Sequence, residues 1–269
     1  MKKQELIQLH ENIQAGEFFQ TNLNPSYTFD NLTKAPSNKF AYKVAEMTAH
    51  KSGSRTNNPL IIYSSSGLGK TYLLHAIGNE ILKDKPTAKI LYISGEDFFE
   101  EWVASLQNRE KELFCEKFRR LDCLLMDDIQ FLDGKNQALL QFSFTLKALL
   151  EENKQVVLSI DRAPLQLEWG DFISSRLMSG LIVEITRPNY ETRIAILRQK
   201  RNSIELDIED DVLSFIAEKY NSNIRDLEGA LFRLVAYCRM NGVKPTIEIA
   251  KELTTYIGNK TNTNTNIRN

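Results

Sequence analysis

The chain has 269 residues, of which 42% are hydrophobic and 26% are charged; this composition is that of a soluble globular protein with one large or two modest domains, and it excludes fibrous, disordered and membrane-embedded proteins. Its formal net charge of −1 argues against a free-standing domain that binds duplex DNA, because such domains concentrate Lys and Arg against the phosphates. No apolar segment reaches the length of a membrane span, and the polar start Met1–Glu5 lacks a signal-peptide core, so the cytoplasm is the expected location.

The first part of the chain alternates between helical and strand patterns. Residues 1–24, which carry a weak apolar stripe, are predicted to form a leader segment. Helices are then predicted over about residues 38–50, from residue 71, in stretches up to residue 120, and over 137–153. Strands are predicted at residues 60–63, 89–94, 123–126, 156–160 and 182–185. Because strands that alternate with helices form parallel sheets, we expect an α/β core over residues 25–187.

The rest of the chain changes character at Pro188. Beyond it only helices are predicted, over residues 190–204, 211–220, 224–240 and 247–256. We therefore expect an all-helical domain over residues 188–257. Residues 258–269 are polar and of low complexity, and they are expected to form a disordered tail because they offer no apolar surface to bury.

The cysteines and histidines show no ligand spacing. Cys115, Cys123 and Cys238 are odd in number and widely spaced, which indicates reduced core thiols rather than disulfides or a zinc site. The three histidines are equally scattered, so no metal site is expected among them.

One strand–loop–helix segment has the pattern of a phosphate-binding loop. After the strand that ends at Tyr63, Ser64–Gly69 lead into Lys70 and Thr71. Backbone N–H groups of such a loop and the positive end of the following helix bind phosphate oxygens. Lys70 would contact the β- and γ-phosphates and Thr71 would ligate Mg²⁺, which predicts binding of ATP or ADP with Mg²⁺. Ser64 stands where the usual pattern, GxxxxGK[ST], has its first glycine, so we expect backbone strain or an altered loop there.

A pair of acids follows a buried-strand pattern farther along the chain. Leu124–Met126 run into Asp127 and Asp128. Because the carboxyl ends of parallel strands meet at one edge of a sheet, these carboxylates are expected near the phosphate loop. Asp127 would hold Mg²⁺ through water, and Asp128 would act on the attacking water. Taken alone, two acids after a strand more often form a turn, but the phosphate loop upstream favours the metal site.

Together these motifs resemble the AAA+ nucleotide-binding module of the DnaA-type bacterial replication initiators, over about residues 24–256. The matching segments are Asn24–Asn31, Gly67–Thr71, Asp127–Leu132, Glu191–Leu197 and Ser222–Leu231. The resemblance implies an α/β fold with a five-stranded parallel sheet of order 5-1-4-3-2, followed by an all-helical lid domain, with ATP at their junction. It also implies a slow ATPase, which converts ATP and water to ADP and phosphate, acting in initiation or regulation of chromosomal replication.

The resemblance also assigns roles to single residues. The nucleotide contacts that it implies are Gly67, Leu68, Gly69, Lys70, Thr71 and Tyr72. Asp161, just beyond the fourth strand, matches the family's first sensor of the γ-phosphate or attacking water, and Arg225 matches the second sensor, on the lid. Asn223 can cap the helix that carries Arg225, with Asp226 at the third helical position. The positive charge of Arg225 in the first turn opposes the helix dipole, so Arg225 is expected to bind a phosphate instead. Arg176 matches the arginine finger, which reaches the γ-phosphate of a neighbouring subunit.

Three departures from the family pattern bear on partners. Phe172 occupies a position where the family usually has another arginine, so weaker contacts between subunits are expected. Gln137, followed by the apolar Ala138 and Leu139, replaces an arginine in the region that lines single-stranded DNA, so that binding is expected to be weakened. The initiators continue into a basic helix-turn-helix domain where this chain has its polar tail, so no sequence-specific duplex binding by this chain alone is expected.

Three functions remain open at this point. The first is an ATP-hydrolysing truncated initiator, or a shortened regulator of the Hda type, that contacts DnaA-type initiator subunits or itself through the Arg176 face. The second is a nucleotide-gated adaptor with little hydrolysis, in which ATP sets the lid angle so that a partner is recognised. Intact Asp127 and Asp128 favour the enzyme, whereas Ser64 and Phe172 favour the adaptor. The third, a helicase-loader-like ATPase, shares the motifs but would normally have a longer partner-binding amino terminus.

Overall fold

The computed structural model describes residues 21–204 and 206–254. The predicted leader lies almost wholly, and the predicted tail wholly, outside these residues. The described chain forms two compact units. The first consists of the described residues up to Leu32, Phe40–Ser64 and Lys70–Ile185, and the second consists of Thr33–Lys39, Ser65–Gly69 and the described residues from Thr186 onward.

The first unit is built around a five-stranded parallel sheet. Its strands are β1 (Leu60–Tyr63), β2 (Ile90–Ser94), β3 (Cys123–Asp127), β4 (Gln155–Ile160) and β5 (Leu181–Glu184). Their order across the sheet is β2-β3-β4-β1-β5, and each neighbouring pair is parallel. Read from the other edge, this is the expected order 5-1-4-3-2, which is confirmed. Strands β3 and β4 are buried along their whole length, as is usual for parallel strands that are covered on both faces.

Helices connect these strands, and aromatic side chains fill the space between them. Helix α1 (Lys39–His50) precedes β1. The connecting helices are α2 (Lys70–Asp84), α3 (Gly95–Gln107), α4 (Lys111–Arg119), α5 (Asn136–Glu151) and α6 (Gly170–Met178). Helix α3 begins directly after β2 because the Ser94 hydroxyl accepts a hydrogen bond from the Asp97 N–H (3.0 Å). Phe98, Phe118 and Phe142 are fully buried, and the ring of Phe98 packs edge to face against the other two, a favoured aromatic geometry.

The second unit is helical after Pro188, as expected. Its helices are α7 (Tyr190–Arg201), α8 (Asp210–Lys219) and α9 (Ile224–Asn241), and residues 247–254 are also helical. These helices share an apolar core that includes Leu197, Leu213 and Leu231. The predicted cap of α9 is confirmed, since the Asn223 side chain accepts a hydrogen bond from the Asp226 N–H at 2.7 Å.

The described helices and the cysteines bear on two further expectations, the absence of a membrane span and the state of the thiols. Within residues 21–204 and 206–254, no helix is long and apolar enough to cross a membrane. The three cysteines are free thiols; Cys123 and Cys238 are buried and Cys115 is half-buried, which agrees with their prediction as reduced thiols of the core.

Candidate nucleotide-binding site

The phosphate loop lies between β1 and α2 and depends on two glycines. Gly67 and Gly69 have φ angles of 77° and 100°, a region that residues with a Cβ rarely adopt. Within the second unit, a Cβ on Gly67 would lie 2.9 Å from the side-chain oxygen of Asn223. The Gly67 carbonyl also accepts a hydrogen bond from the Ile224 N–H at 2.9 Å. Position 67 therefore requires glycine both for its backbone conformation and for space.

Ser64 needs no glycine conformation in this loop. Its N–H donates to the Ile160 carbonyl at 3.2 Å, so its backbone continues the pairing of β1 with β4, and Ser64 is not among the residues with positive φ. The expectation of backbone strain at Ser64 is therefore wrong. Its carbonyl accepts a hydrogen bond from Lys70 Nζ at 2.9 Å, which anchors the buried Lys70 side chain to the start of the loop.

Asp127, the last residue of β3, is only 4% exposed, and its carboxylate is held by hydroxyl groups. Thr71 Oγ1 donates to Asp127 Oδ2 at 2.6 Å, and the Tyr92 hydroxyl donates to the same oxygen at 3.0 Å. Ser159 donates to Oδ1. A buried carboxylate needs such donors because burial without hydrogen bonds is costly. The structure thus joins Thr71 and Asp127, the two predicted metal residues, at hydrogen-bond distance.

These residues fit the way in which nucleotide sites hold Mg²⁺. The ion favours octahedral oxygen coordination by one or two carboxylates, substrate phosphates and water. Asp127 supplies a carboxylate, and Thr71 supplies a hydroxyl next to Lys70 of the loop. Within the described segments, no group of three or more His, Cys, Asp or Glu side chains could hold a metal ion by itself. Beside these two side chains, an Mg²⁺ ion would take its remaining ligands from phosphates and water.

Asp128 lies beside Asp127 in a left-handed backbone conformation, with φ of 50°, which Asp tolerates better than most residues. Its N–H donates to Ser159 Oγ at 2.7 Å, and its Oδ1 accepts a hydrogen bond from the Gln130 side-chain amide at 3.1 Å. Gln130 Oε1 also accepts a hydrogen bond from the Asp161 N–H at 3.3 Å. Through Ser159 and Gln130 the structure therefore links Asp127 and Asp128 to the backbone of Asp161, whose carboxylate pairs with Arg162 at 3.2 Å.

Arg176 lies away from these acids, at the other end of the sheet. It lines an open pocket of about 400 Å³ together with Asn58 and Asn153. Each of these asparagines lies two residues before a strand, Asn58 before β1 and Asn153 before β4, so the pocket lies where the strands begin. Lys70 and Asp127 lie where strands end. The structure therefore does not bring Arg176 to the other predicted residues of the first unit.

The departure at Phe172 has a local consequence for Arg176. Both residues belong to α6, one turn apart. The guanidinium carbon of Arg176 lies 3.7 Å from the centroid of the Phe172 ring, and Arg176 Nη1 donates to the Phe172 carbonyl at 2.5 Å. Cation–π packing of this kind is worth about 0.5–1 kcal/mol at exposed sites. Phe172 thus does more than remove a charge, because it holds the Arg176 guanidinium against its own helix.

Arg225 lies in the first turn of α9, and its side chain is exposed. Within the second unit, its N–H donates to the Gly67 carbonyl at 3.3 Å. Leu227 and Leu231 of the same helix are fully buried, so Arg225 lies off the apolar stripe of that helix. Its assignment to a phosphate stays a prediction.

Three residues around the acids were given no role in the sequence analysis: Tyr92, Ser159 and Gln130. Gln130 lies in the 3₁₀ turn Ile129–Leu132, which directs it back toward the sheet edge. Tyr92 lies in the middle of β2 and Ser159 near the carboxyl end of β4, and these two strands flank β3. A polar side chain within a predicted strand was a usable signal in both cases, but the groups that each side chain meets depend on the strand order.

Tyr92 contacts both the Asp127 carboxylate and His75, which in turn binds the backbone of Asn24. Burial and then the charge of Asp127 raise the pKa of Tyr92, so its hydroxyl stays protonated and acts as a donor. Its ring packs against His75, with ring centroids 4.0 Å apart. Burial lowers the pKa of His75, which favours the neutral imidazole, and its Nδ1 accepts a hydrogen bond from the Asn24 N–H at 3.1 Å.

A family model and several solved structures that are similar to this chain all belong to DnaA. The model of the bacterial DnaA ATPase domain matches residues 23–184. The crystal structure of domain III of the replication initiation protein DnaA from Thermotoga maritima shares 38% identity with a TM-score of 0.81, over 86% of this chain and 96% of that chain. AMPPCP-bound DnaA from Aquifex aeolicus shares 34% identity with a TM-score of 0.72, over 79% of this chain and 66% of that chain.

A third solved structure is the replication initiator DnaA bound to AMPPCP and single-stranded DNA. It shares 33% identity with a TM-score of 0.73, over 82% of this chain and 67% of that chain. This chain therefore spans about two thirds of the length of the two AMPPCP-bound proteins. Because the family model covers more than half of the chain and the structural matches agree with it, the chain belongs to the family of bacterial DnaA ATPase domains.

Proposed function

We propose that this chain binds Mg·ATP and hydrolyses it slowly to ADP and phosphate, as a DnaA-like ATPase in the initiation of chromosomal replication or its regulation. The observation that carries the proposal is the Thr71–Asp127 hydrogen bond of 2.6 Å, which joins the phosphate loop to the acidic end of β3. The similar DnaA structures that hold AMPPCP, an ATP analogue, support the same ligand for this chain.

Binding would use the loop and the first turn of α2. Backbone N–H groups of Gly67, Leu68 and Gly69 would bind phosphate oxygens, with Tyr72 as a further nucleotide contact. Lys70 would contact the terminal phosphates, and Thr71 with Asp127 would hold Mg²⁺. When bound, that ion neutralises negative charge on the β- and γ-phosphates.

Hydrolysis would use the acids beyond β3 and β4. The Asp128 carboxylate would accept a proton from the attacking water, a role that needs a carboxylate within hydrogen-bond reach of the nucleophile. Its hydrogen bond to Gln130 would keep it oriented. Asp161, which Gln130 also contacts, would sense the γ-phosphate or that water, and Arg225 of the helical unit would contact a phosphate.

Asp128→Asn is expected to retain ATP binding and to lower turnover by about 10²–10⁴-fold, since the amide keeps the shape of the carboxylate and cannot accept the proton. Phosphate release and ATP affinity should be measured on the same preparation. Asp84→Asn is the matched control, because Asp84 is an exposed carboxylate that pairs with His50 at the surface. Equal turnover in the wild type and Asp128→Asn would contradict the assignment and favour the nucleotide-gated adaptor.

The adaptor is the second candidate, and the packing of Arg176 on Phe172 favours it. A finger that is held against its own helix is less available to a neighbouring γ-phosphate, which would leave ATP as a ligand that sets a conformation. The other argument for the adaptor, strain at Ser64, no longer applies. A helicase-loader-like role would use the same nucleotide site.

The proposed partners are DnaA-type initiator subunits, or a second copy of this chain, which would dock on the face around Arg176. Single-stranded DNA is bound by the similar initiator structure. For this chain we propose that such binding is weak, because the exposed residues at the start of α5, Asn136 and Gln137, are neutral and the next, Ala138, is buried. Neutral side chains release no counterions from a phosphate backbone.

We expect no sequence-specific binding of duplex DNA by this chain, because a net charge of −1 provides few phosphate contacts. The measurement is a comparison of an origin duplex with a scrambled duplex of the same length and composition at physiological salt. Tighter binding to the origin duplex would contradict this prediction.

A further inference from the structure

The two oxygens of the Asp127 carboxylate have different surroundings. Oδ2 accepts hydrogen bonds from both Thr71 (2.6 Å) and Tyr92 (3.0 Å), and Oδ1 accepts one from Ser159. Thr71 belongs to the phosphate loop, whereas Tyr92 lies in the middle of β2. The Tyr92 hydroxyl is therefore placed to keep Oδ2 directed toward Thr71 whether or not the Thr71 hydroxyl is engaged elsewhere.

Tyr92 is itself held on two sides. Its backbone pairs with β3, opposite Leu125, and its N–H donates to the Thr21 carbonyl at 3.0 Å. Its ring packs against the His75 ring at 4.0 Å, and His75 accepts a hydrogen bond from the Asn24 N–H. A hydroxyl on a ring that is fixed in this way orients its partner, because neither the backbone nor the ring is free to turn away.

We propose that Tyr92 is a positioning residue of the magnesium–nucleotide site. It fixes the orientation of the Asp127 carboxylate through its hydroxyl, and the His75 ring keeps that hydroxyl in place. This inference rests on the proposed binding of Mg·ATP. Hydrogen-bond partners of metal-binding carboxylates commonly affect metal affinity about 10–100-fold when they are removed, so an effect of that size is expected here.

The test is Tyr92→Phe, which removes the hydroxyl and keeps the ring. The ATP dissociation constant should be measured by calorimetry twice, in excess Mg²⁺ and in EDTA, and the ratio of the two values gives the gain due to Mg²⁺. We expect the affinity in EDTA to stay as in the wild type, which also reports a folded site, and the gain to fall at least about 10-fold. The matched control is Tyr42→Phe, which removes a buried hydroxyl that donates to the Phe29 carbonyl; its gain should equal that of the wild type.

A double-mutant cycle with Asp127→Asn tests whether Tyr92 acts through that carboxylate. In the Asp127→Asn background, Tyr92→Phe should cause no further loss of the gain due to Mg²⁺. If the two substitutions each reduced the gain due to Mg²⁺ independently, so that their effects multiplied, the inference would be overturned. It would also be overturned if the single variant Tyr92→Phe showed the same gain due to Mg²⁺ as the wild type. A wild-type chain whose ATP affinity does not depend on Mg²⁺ would overturn the proposed function itself, so the two failures are distinguishable.

Discussion

Arg176→Ala is expected to leave the ATP affinity of the monomer unchanged and to abolish the acceleration of hydrolysis at high protein concentration or with an added DnaA-type initiator. An arginine finger stabilises charge that develops on the transferred phosphoryl group, and fingers supplied by a partner are worth about 10³–10⁵ in rate. The measurement is phosphate release against protein concentration, with ATP affinity determined separately at low concentration.

The position of Arg176 is the reason for this expectation. It lines a pocket with Asn58 and Asn153, which precede the first residues of β1 and β4, whereas Lys70 and Asp127 lie at the opposite ends of strands. The sheet therefore separates the guanidinium from the phosphate-loop lysine of the same chain. A residue so placed can act on ATP only where another subunit brings its own nucleotide to this face.

A mixing experiment provides the control for this prediction. The Arg176→Ala chain binds ATP and lacks the finger, whereas a Lys70→Ala chain has the finger and lacks ATP, so the mixture should recover part of the accelerated rate. Arg120→Ala should behave as the wild type, because Arg120 is an exposed arginine paired with Glu116. If the mixture stays inactive while the wild type is accelerated, or if Arg176→Ala weakens binding in the monomer, the assignment in trans is wrong.

Lys70→Ala is expected to weaken the binding of ATP and ADP by at least about 30-fold. Lys70 is buried, and its ammonium group is held at the start of the loop by the Ser64 carbonyl, 2.9 Å away. Removal of one partner of a buried, hydrogen-bonded charge pair typically costs about 2–5 kcal/mol, which is a loss of about 30-fold to several thousand-fold in affinity. Calorimetric titration with ADP and with Mg·ATP measures this loss directly.

Lys83→Ala is the matched control for this substitution. It lies in the last turn of the same helix, and its ammonium group pairs with Glu80 at 2.7 Å on the surface, a type of contact worth at most about 1 kcal/mol. We expect its nucleotide affinity to equal that of the wild type. Undiminished affinity in Lys70→Ala, with thermal unfolding like that of the wild type, would show that the loop does not bind the phosphates.

The features that the sequence predicted correctly are those in which neighbours along the chain act together. The apolar run from Val156 to Ile160 predicts a buried strand by itself, and the alternation of such runs with helical patterns predicts a parallel sheet. The cap of α9 needs only Asn223 and the N–H group three residues later. The resemblance to DnaA added the strand order, which local patterns do not contain, and the observed sheet confirms it.

The arrangement around Asp127 could not be read in this way. Tyr92 and Ser159 reach its carboxylate because β2 and β4 flank β3, and they are 35 and 32 residues away from it along the chain. Which polar side chains meet at a strand end depends on strand order, on register and on side-chain direction together. Those quantities are set by packing across the whole sheet.

Ser64 and Arg176 show the same dependence on tertiary contacts. The pattern of the phosphate loop suggested strain at Ser64, yet its backbone conformation follows from pairing with Ile160 on β4, a residue far away along the chain. The motif around Arg176 identifies the residue type, but only the folded sheet places it at the ends of the strands opposite to Lys70. Short-range steric and hydrogen-bonding preferences act within a few residues, whereas the neighbours of a side chain across a sheet depend on how distant segments bury their apolar faces together.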